Sequence, residues 1–284
     1  LLQTDLQVIS GNVQRPNGIY WYEDFLYTGC AGDFTLYRID DTTGATTTYI
    51  SGVQNAHTLY VEEGPVIWVP DFQRNALVRI DTSNSPARVD IATELGSPWG
   101  LVTYDADSFL VTQLRSDDIM HITRDGEVQV VAEGLRNPTG IALDGDYVYV
   151  ANNGSARRAI EWFELDMETI ETDGPLQDEE VQPLVSGLQN TTNLVIGPDG
   201  LLYFAYSLGT RGIVGRIDPV MCREMGGCTN ADVEIVLWSE LAAPLAGLAI
   251  TPDMRMFVHT MFGAEIYWAQ LPTEDLEAEE ASTS

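Results

Sequence analysis

The side chains that could transfer protons are few in this sequence. Its 284 residues contain three histidines and no lysine. A histidine that holds a water molecule can act as a general base near neutral pH. We expect no catalytic residue among the three histidines, because the sequence assigns neither His57 nor His259 a carboxylate partner, and each is interpreted as a structural, hydrogen-bonded histidine. The alternative is that His57 or His259 acts as a catalytic base, whereas His121 is assigned a structural role within a strand.

No nucleophile stands in a pattern that would activate it. The sequence lacks a Gly-x-Ser-x-Gly motif, and without lysine it cannot form a Schiff base. Cys222 and Cys228 flank a glycine-rich turn, and we predict a disulfide between them rather than a metal site, because no further Cys or His follows at ligand spacing. Cys30 is predicted to be a buried thiol in a strand. A disulfide indicates an oxidising compartment, so an extracellular, periplasmic or cell-surface location is expected.

An internal repeat must position these side chains. An apolar residue, followed two or three places later by proline or a small polar residue, recurs at intervals of 40, 42, 40, 53 and 53 residues, which are typical lengths of propeller blades. Short β-branched and aromatic runs separated by turn residues follow each anchor and predict four strands per repeat. The sequence therefore predicts an all-β, six-bladed β-propeller with four-stranded blades. The six anchors are Val13, Val53, Leu95, Leu135, Leu188 and Leu241.

The two ends of the chain predict how the ring closes. The sixth repeat has no outer strand after residue 271, whereas residues 6–10 have an outer-strand pattern and precede the first anchor. Pairing these two segments would cover two open sheet edges, so the N-terminal strand is predicted to complete the C-terminal blade. We predict one propeller domain over residues 1–271, followed by an acidic, solvated tail over residues 272–284.

Two short segments resemble those of a known group of propellers. They are Arg15-Pro16-Asn17-Gly18-Ile19 and Asn137-Pro138-Thr139-Gly140-Ile141. With the six-fold repeat, they make residues 6–271 similar to NHL-type and gluconolactonase/senescence-marker-type six-bladed propellers. In calcium-dependent lactonases of this type, Asn, Asp and Glu oxygens hold an ion at the channel mouth, and Asn17 and Asn193 resemble two such ligands. No mouth turn supplies Asp or Glu, and calcium prefers six to eight oxygen ligands with some negative charge. We therefore expect no cofactor, with calcium as the alternative.

The predicted mouth also contains an aromatic residue and an arginine cluster. Trp99 stands at the start of an inner strand, where it could stack on a ligand. Arginines in the loops between second and third strands could form a positive crescent that binds a carboxylate or sulfate in a bidentate manner. The alternative is that each arginine pairs with a neighbouring acid such as Asp71, Asp117 or Asp118, which contributes only ~0–1 kcal/mol. The crescent consists of Arg74, Arg115, Arg157, Arg158 and Arg211, and the predicted ligand-binding residues are Trp99, Arg74, Arg115, Arg158 and Arg211.

Charge limits the partners. Fourteen basic residues, all arginine, stand against 43 acidic ones, which gives a net charge of −29. Such a surface repels phosphate backbones and anionic lipids, so nucleic acid is not an expected partner. No apolar run reaches the ~18–20 residues of a membrane span, and no membrane insertion is expected.

A complete ring without a complete catalytic set predicts a non-enzymatic function. We expect a secreted or cell-surface binding scaffold that holds a protein partner or a small anionic ligand at the channel mouth. The alternative, implied by the resemblance, is a calcium-dependent lactone or ester hydrolase. In that case Asn17 and Asn193 would bind calcium, and His57 or His259 would act as the base.

Overall fold

The chain forms a closed ring of blades. The structure is a computed structural model and describes residues 1–83 and 87–272. Within these residues the strands form six antiparallel sheets of four strands, one of which gains a short fifth strand. The predicted all-β, six-bladed propeller is confirmed.

The elements follow one another blade by blade. A short 3-10 helix, η1 (Gln3–Asp5), and β1 (Gln7–Ser10) precede blade 1, which contains β2 (Pro16–Tyr22), β3 (Phe25–Cys30), β4 (Thr35–Asp40) and β5 (Thr46–Ser51). Blade 2 contains β6 (Tyr60–Glu62), β7 (Val66–Asp71), β8 (Ala76–Asp81) and β9 (Ala87–Ala92). Blade 3 contains β10 (Pro98–Thr103), β11 (Ser108–Gln113), β12 (Asp118–Thr123) and β13 (Val128–Glu133).

The second half of the ring carries two inserts. Blade 4 contains β14 (Pro138–Asp144), β15 (Tyr147–Asn152), β16 (Ile160–Glu164), helix α1 (Met167–Asp173) and β17 (Gln182–Ser186). Blade 5 contains β18 (Leu194–Ile196), β19 (Leu202–Leu208), β20 (Arg211–Ile217) and β22 (Glu234–Ala242). The connection from β20 to β22 carries helix α2 (Pro219–Glu224) and β21 (Cys228–Thr229), and β21 joins the sheet of blade 4 as its fifth strand. Blade 6 contains β23 (Leu245–Ile250), β24 (Arg255–Thr260) and β25 (Ile266–Gln270).

Burial explains the composition of the strands. The second strand of each blade lies between the faces of its neighbours, and β7 and β11 are buried at all six positions. Outer strands such as β5 have one face towards solvent and are only partly buried. Apolar runs therefore mark the second strands, and threonine-rich or alternating runs mark the outer ones.

The ring closes through the N-terminal strand, as predicted. β1 pairs antiparallel with β25, with Gln7 opposite Trp268 and Val8 opposite Tyr267. The terminal amine of Leu1 also donates a hydrogen bond to the carbonyl oxygen of Val236 on β22, at 2.9 Å. The first ten residues therefore bind both blade 5 and blade 6.

The predicted disulfide joins Cys222 and Cys228, with an S–S distance of 2.02 Å. It links α2 to β21, which pairs with the outer strand β17 of blade 4. Cys30, at the end of β3, is a buried free thiol. Except for Pro272, the predicted acidic tail lies outside the described residues. No helix in the described part of the chain has the length and hydropathy that a membrane crossing requires.

Candidate functional site

The inner strands bring their N-terminal ends together at one mouth of the central channel. Around this mouth, a backbone or side-chain donor of one blade bonds a backbone oxygen of the next. Gly18 N–H donates to Ala56 O, Thr58 to Trp99 O, Thr112 to Thr139 O, Thr139 to Thr191 O, and Thr192 to Leu245 O. These bonds fix the relative positions of the residues that face the mouth, because each one crosses a blade junction.

Three aromatic rings form a compact cluster on the side of blades 2 and 3. The imidazole of His57 stacks on the indole of Trp99, with ring centroids 3.4 Å apart and planes inclined by 4°. The ring of Phe72 meets both of them edge to face, at 5.4 Å from His57 and 5.8 Å from Trp99. We call His57, Phe72 and Trp99 the mouth cluster. Its geometry holds the imidazole in one orientation.

His57 has polar atoms without a partner in the protein. Among the residues that the structure describes, neither ring nitrogen has a hydrogen-bond partner. Neither nitrogen is fully enclosed by the protein, so both keep some access to solvent. Burial of the ring lowers the pKa of His57 to about 3. The imidazole is therefore neutral at ordinary pH, with one N–H donor and one weakly basic lone pair.

His259 has a different environment. It is fully buried near the end of β24, beside the backbone of Asn17 and Thr260, and burial lowers its pKa to about 4. A side chain at Gly247 would come within 2.5 Å of its Nε2 atom, so the ring fills space between blades 6 and 1. Both ring nitrogens are enclosed and lack a hydrogen bond of ordinary geometry. His259 therefore lies in the blade seam and not in the open mouth.

The two asparagines named as alternative calcium ligands form hydrogen bonds through their amide nitrogens. Asn17 is buried, and its Nδ2 donates to Oδ1 of Asn55 at 3.1 Å. Asn193 lines the central cavity, and its Nδ2 donates to the hydroxyl of Thr192 at 3.3 Å. Within the described residues no hydrogen bond joins Asn17 to Asn193, and no group of three His, Cys, Asp or Glu is arranged to hold a metal ion. This donor set does not fit calcium, because it lacks the carboxylates that the ion prefers.

Three of the five crescent arginines are held by acids. Arg74 pairs with Asp90 at 2.5 Å, and Arg211 pairs with Glu240 at 3.0 Å. Arg158 pairs with the fully buried Glu161 and with Asp178. These acids are not those nearest in the sequence. Asp71 accepts backbone N–H groups from Gln54, Gln73 and Arg74. Asp117 accepts the backbone N–H of Asn137, and Asp118 accepts a hydrogen bond from Nε2 of Gln113.

Arg115 differs from these arginines. It is exposed and forms no ion pair within the described residues, and its guanidinium lies 5.7 Å from the ring centroid of Phe72. It therefore extends the mouth cluster with an uncompensated positive charge. Sequence reasoning missed Phe72, although its position directly after a buried second strand, in the loop that carries Arg74, was an available signal.

A cavity of about 350 Å³ lies between the inner strands of the ring, and none of the three mouth-cluster residues lines it. Thr58 and Asn193, near the N-terminal ends of two inner strands, belong to its lining, and the side chain of Thr58 bonds the backbone of Trp99. Thr58 is therefore the contact between the cavity and the mouth cluster.

Comparison with known proteins identifies the fold. No family model and no curated protein matches the sequence. The structure is similar to a gluconolactonase from Xanthomonas campestris, with 16% sequence identity, a TM-score of 0.72, and coverage of 94% of this chain and 89% of that chain. It is also similar to regucalcin from Agrobacterium tumefaciens, described as a calcium-binding protein, with 14% identity, a TM-score of 0.68, and coverage of 93% and 92%.

A third similar structure is a catalytically inactive virginiamycin B lyase from Staphylococcus aureus, in which alanine replaces a histidine, with quinupristin. It shares 15% identity with this chain at a TM-score of 0.59, and covers 90% of this chain and 81% of that chain. The resemblance to gluconolactonase-type six-bladed propellers is thus confirmed for the fold. The expectation of a non-enzymatic binding scaffold is wrong, because the similar propellers include a gluconolactonase and a lyase, which favour the enzymatic alternative.

Proposed function

We propose that this chain is an enzyme that opens lactones or related carboxylic esters at the channel mouth. The observation that carries the proposal is His57: an imidazole held by two aromatic rings, with both nitrogens free of partners in the described structure. The similar propellers include a gluconolactonase, and a lyase that is inactive when a histidine is replaced by alanine.

The low pKa of His57 decides its role in this reaction. Efficient general bases have pKa values close to the working pH. The imidazole of His57, with a pKa of about 3, is therefore too weak a base near neutral pH. A neutral imidazole can instead donate its N–H to a carbonyl oxygen and stabilise the negative charge that develops there. We assign His57 this donor role, and not the role of base.

The reaction then needs only the substrate and water. Water adds to the carbonyl carbon, the bond from that carbon to the ring oxygen breaks, and the proton released by the water ends on the departing alkoxide. The product of a lactone is a hydroxy acid. Trp99 offers a flat surface for the substrate, and Arg115, which is not ion-paired in the described structure, can attract the product carboxylate.

A calcium-dependent form of this activity is the second candidate. The similarity to a calcium-binding regucalcin favours it. The donor set at Asn17 and Asn193 opposes it, because these side chains supply amide oxygens without a neighbouring carboxylate. We propose that the chemistry here relies on His57 and does not require calcium at these residues.

The test is a screen of lactones and esters with matched histidine variants. His57→Phe keeps a ring on Trp99 but removes both nitrogens, and we expect about a 100-fold loss of kcat, which is the usual effect of deleting one donor to the developing oxyanion. His121→Asn changes a histidine on β12, away from the mouth cluster, and should keep the wild-type rate. Circular dichroism of each variant checks that the fold is intact.

Two results would contradict the proposal. Turnover that survives in His57→Phe would remove His57 from the mechanism, and no turnover of any lactone or ester by the wild type would remove the function. Calcium is tested on the same substrates: turnover lost after chelation and restored by calcium, and abolished in Asn17→Ala, would favour the second candidate.

We also propose that the chain acts outside the cytoplasm, since it contains a disulfide between Cys222 and Cys228. Labelling of free thiols in protein taken directly from separated cell fractions tests this. One reactive thiol per unfolded chain, in the extracytoplasmic fraction, is the expected result; three in the cytoplasmic fraction would contradict it.

A further inference from the structure

The cavity inside the ring differs in chemistry from the rest of the molecule. The chain contains 43 acidic residues and 14 arginines, yet none of the 17 residues that line the cavity is charged. Its polar side chains are those of Thr58, Asn193, Tyr20 and Trp21. Of these, Thr58 and Asn193 lie at the mouth end. The wall of the cavity is therefore uncharged in a strongly acidic chain.

The polar side chains of the lining are Thr58 and Asn193, near the N-terminal ends of their inner strands, and Tyr20 and Trp21, further along β2. From Asn193 the wall of blade 5 continues through Leu194, Val195 and Ile196, a distance of about 10 Å at the rise of a strand. At the far end, Nε1 of Trp21 already donates to a carboxylate oxygen of Asp41 at 2.6 Å. Between these polar residues the cavity wall therefore presents mainly apolar side chains.

This lining favours one class of substrate over another. A lactone derived from a sugar carries several hydroxyl groups, and burying a hydroxyl without a partner costs free energy. Apart from Thr58, Asn193, Tyr20 and Trp21, the side chains of the wall offer these hydroxyl groups no hydrogen-bond partner. An alkyl chain loses no hydrogen bond on entering, and it gains from the removal of its surface from water.

We propose that the cavity binds the unbranched aliphatic chain of the substrate, so that the enzyme acts on alkyl- or acyl-substituted lactones or esters and not on sugar lactones. This inference rests on the proposed function, because it assigns the substrate class of the same site. The ester group lies level with Thr58, beside His57 and Trp99, and the chain extends towards Trp21. The volume of about 350 Å³ accommodates roughly ten non-hydrogen atoms, taking about 30 Å³ for each water-sized unit.

Binding can be measured without turnover. Straight-chain primary alcohols contain the chain but no ester, and they can be titrated into the intact protein by calorimetry. We expect the affinity to rise about fourfold with each added methylene and to stop rising near roughly ten carbons, when the cavity is full. Glucose serves as the polyhydroxylated probe and should not bind.

The matched variants change the polarity of the wall but not its shape. Val102→Thr combined with Val195→Thr adds two hydroxyl groups to partly exposed lining positions and should weaken the longest alcohol about tenfold. Val89→Thr combined with Val128→Thr makes the same exchange at exposed positions on outer strands, and should leave the affinity unchanged. Thermal unfolding of both double variants shows whether the ring is intact.

The outcomes separate this inference from the function on which it rests. If alcohols bind with no dependence on chain length, or if the lining variants bind as the wild type does, the inference fails. If short and long lactones are opened at equal rates in a His57-dependent reaction, it also fails, while the proposed function stands. Chain-dependent binding without turnover of any ester would support the cavity assignment and overturn the proposed function.

Discussion

The channel mouth of blades 2 and 3 and the seam between blades 6 and 1 each contain a buried histidine, and the two are held in opposite ways. In the mouth cluster, aromatic rings hold His57 and leave its nitrogens free for a ligand. In the seam, His259 fills the space beside Gly247, and its nitrogens are enclosed. Burial alone therefore does not distinguish a site from a structural contact, whereas access to the polar atoms does.

The other blade junctions show what is unusual about the seam. At the remaining junctions, a backbone amide or a threonine hydroxyl forms the bond between neighbouring blades, for example from Thr112 to Thr139 at 2.6 Å. At the seam a larger, titratable ring stands beside the backbone of Asn17 instead. Blade 6, on one side of the seam, is itself assembled from two distant segments, because β1 pairs with β25 and then continues into blade 1. We expect the seam to be sensitive to changes that the mouth tolerates.

The largest effect should come from removing the strand that closes the seam. Deletion of residues 1–10 exposes the edge of β25 and removes the bond from Leu1 to Val236. Typical domains are stable by only about 5–15 kcal/mol. We therefore expect the truncated chain to lose its cooperative thermal unfolding transition, which circular dichroism measures. Val8→Thr, at an exposed position of β1, is the matched control. Wild-type unfolding of the truncated chain would show that closure does not depend on this strand.

A smaller effect should follow from the titration of the seam histidine. Its pKa is about 4 in the folded chain and about 6.5 when unfolded. Below pH ~6.5 the unfolded chain binds a proton that the folded chain does not, so stability is complete above that pH and falls as the pH is lowered towards 4. The loss attributable to His259 is about 3 kcal/mol.

Urea unfolding at several pH values tests this assignment. His259→Leu should lose about 3 kcal/mol less than the wild type between pH 7 and pH 4, and it should keep the turnover that His57→Phe loses. His121→Asn is the control, because His121 is only partly buried. Identical pH dependence in His259→Leu and the wild type would mean that the seam does not exclude the proton.

The smallest effect should separate the arginines at the mouth. Arg115→Ala removes a charge that lies over Phe72 and is not ion-paired in the described structure. We expect KM to rise about fivefold for an ester that carries a carboxylate. The reason is that a hydrogen bond to a charged group contributes about 1 kcal/mol or more. Arg74→Ala breaks the ion pair with Asp90 and should change neither KM nor stability measurably, since exposed pairs contribute ~0–1 kcal/mol. Equal effects of the two variants would remove Arg115 from the site.

The fold could be predicted from the sequence because its signals are local and repeated. Each blade shows its own turn residues and apolar runs, and the unpaired strand at the N-terminus matches the missing strand of blade 6. The disulfide was predictable for the same reason, since Cys222 and Cys228 lie close in the chain. The pattern of one blade is weak evidence for a propeller, but the same pattern repeated six times is strong evidence.

The site was less predictable, because its residues come from different blades. Trp99 and His57 were recognised separately as mouth residues, but their stacking depends on how blades 2 and 3 pack. Phe72 was not recognised: its place in the loop that carries Arg74 indicated the mouth, but its contacts with His57 and Trp99 depend on how the blades pack. The acids that pair with Arg74 and Arg211 are Asp90 and Glu240, which lie on the neighbouring outer strands and not in the same loops.

The sequence by itself determined the number of blades, the strand that closes the ring, the disulfide and the restriction of candidate bases to three histidines, because composition and spacing record these properties directly. Only the tertiary structure decided that His57 faces a reachable space and His259 does not. His57 follows Asn55-Ala56 and His259 follows Phe257-Val258, and the access of solvent to each ring depends on which neighbouring blade covers it. That is a property of packing between distant segments, and it has no signature in either local sequence.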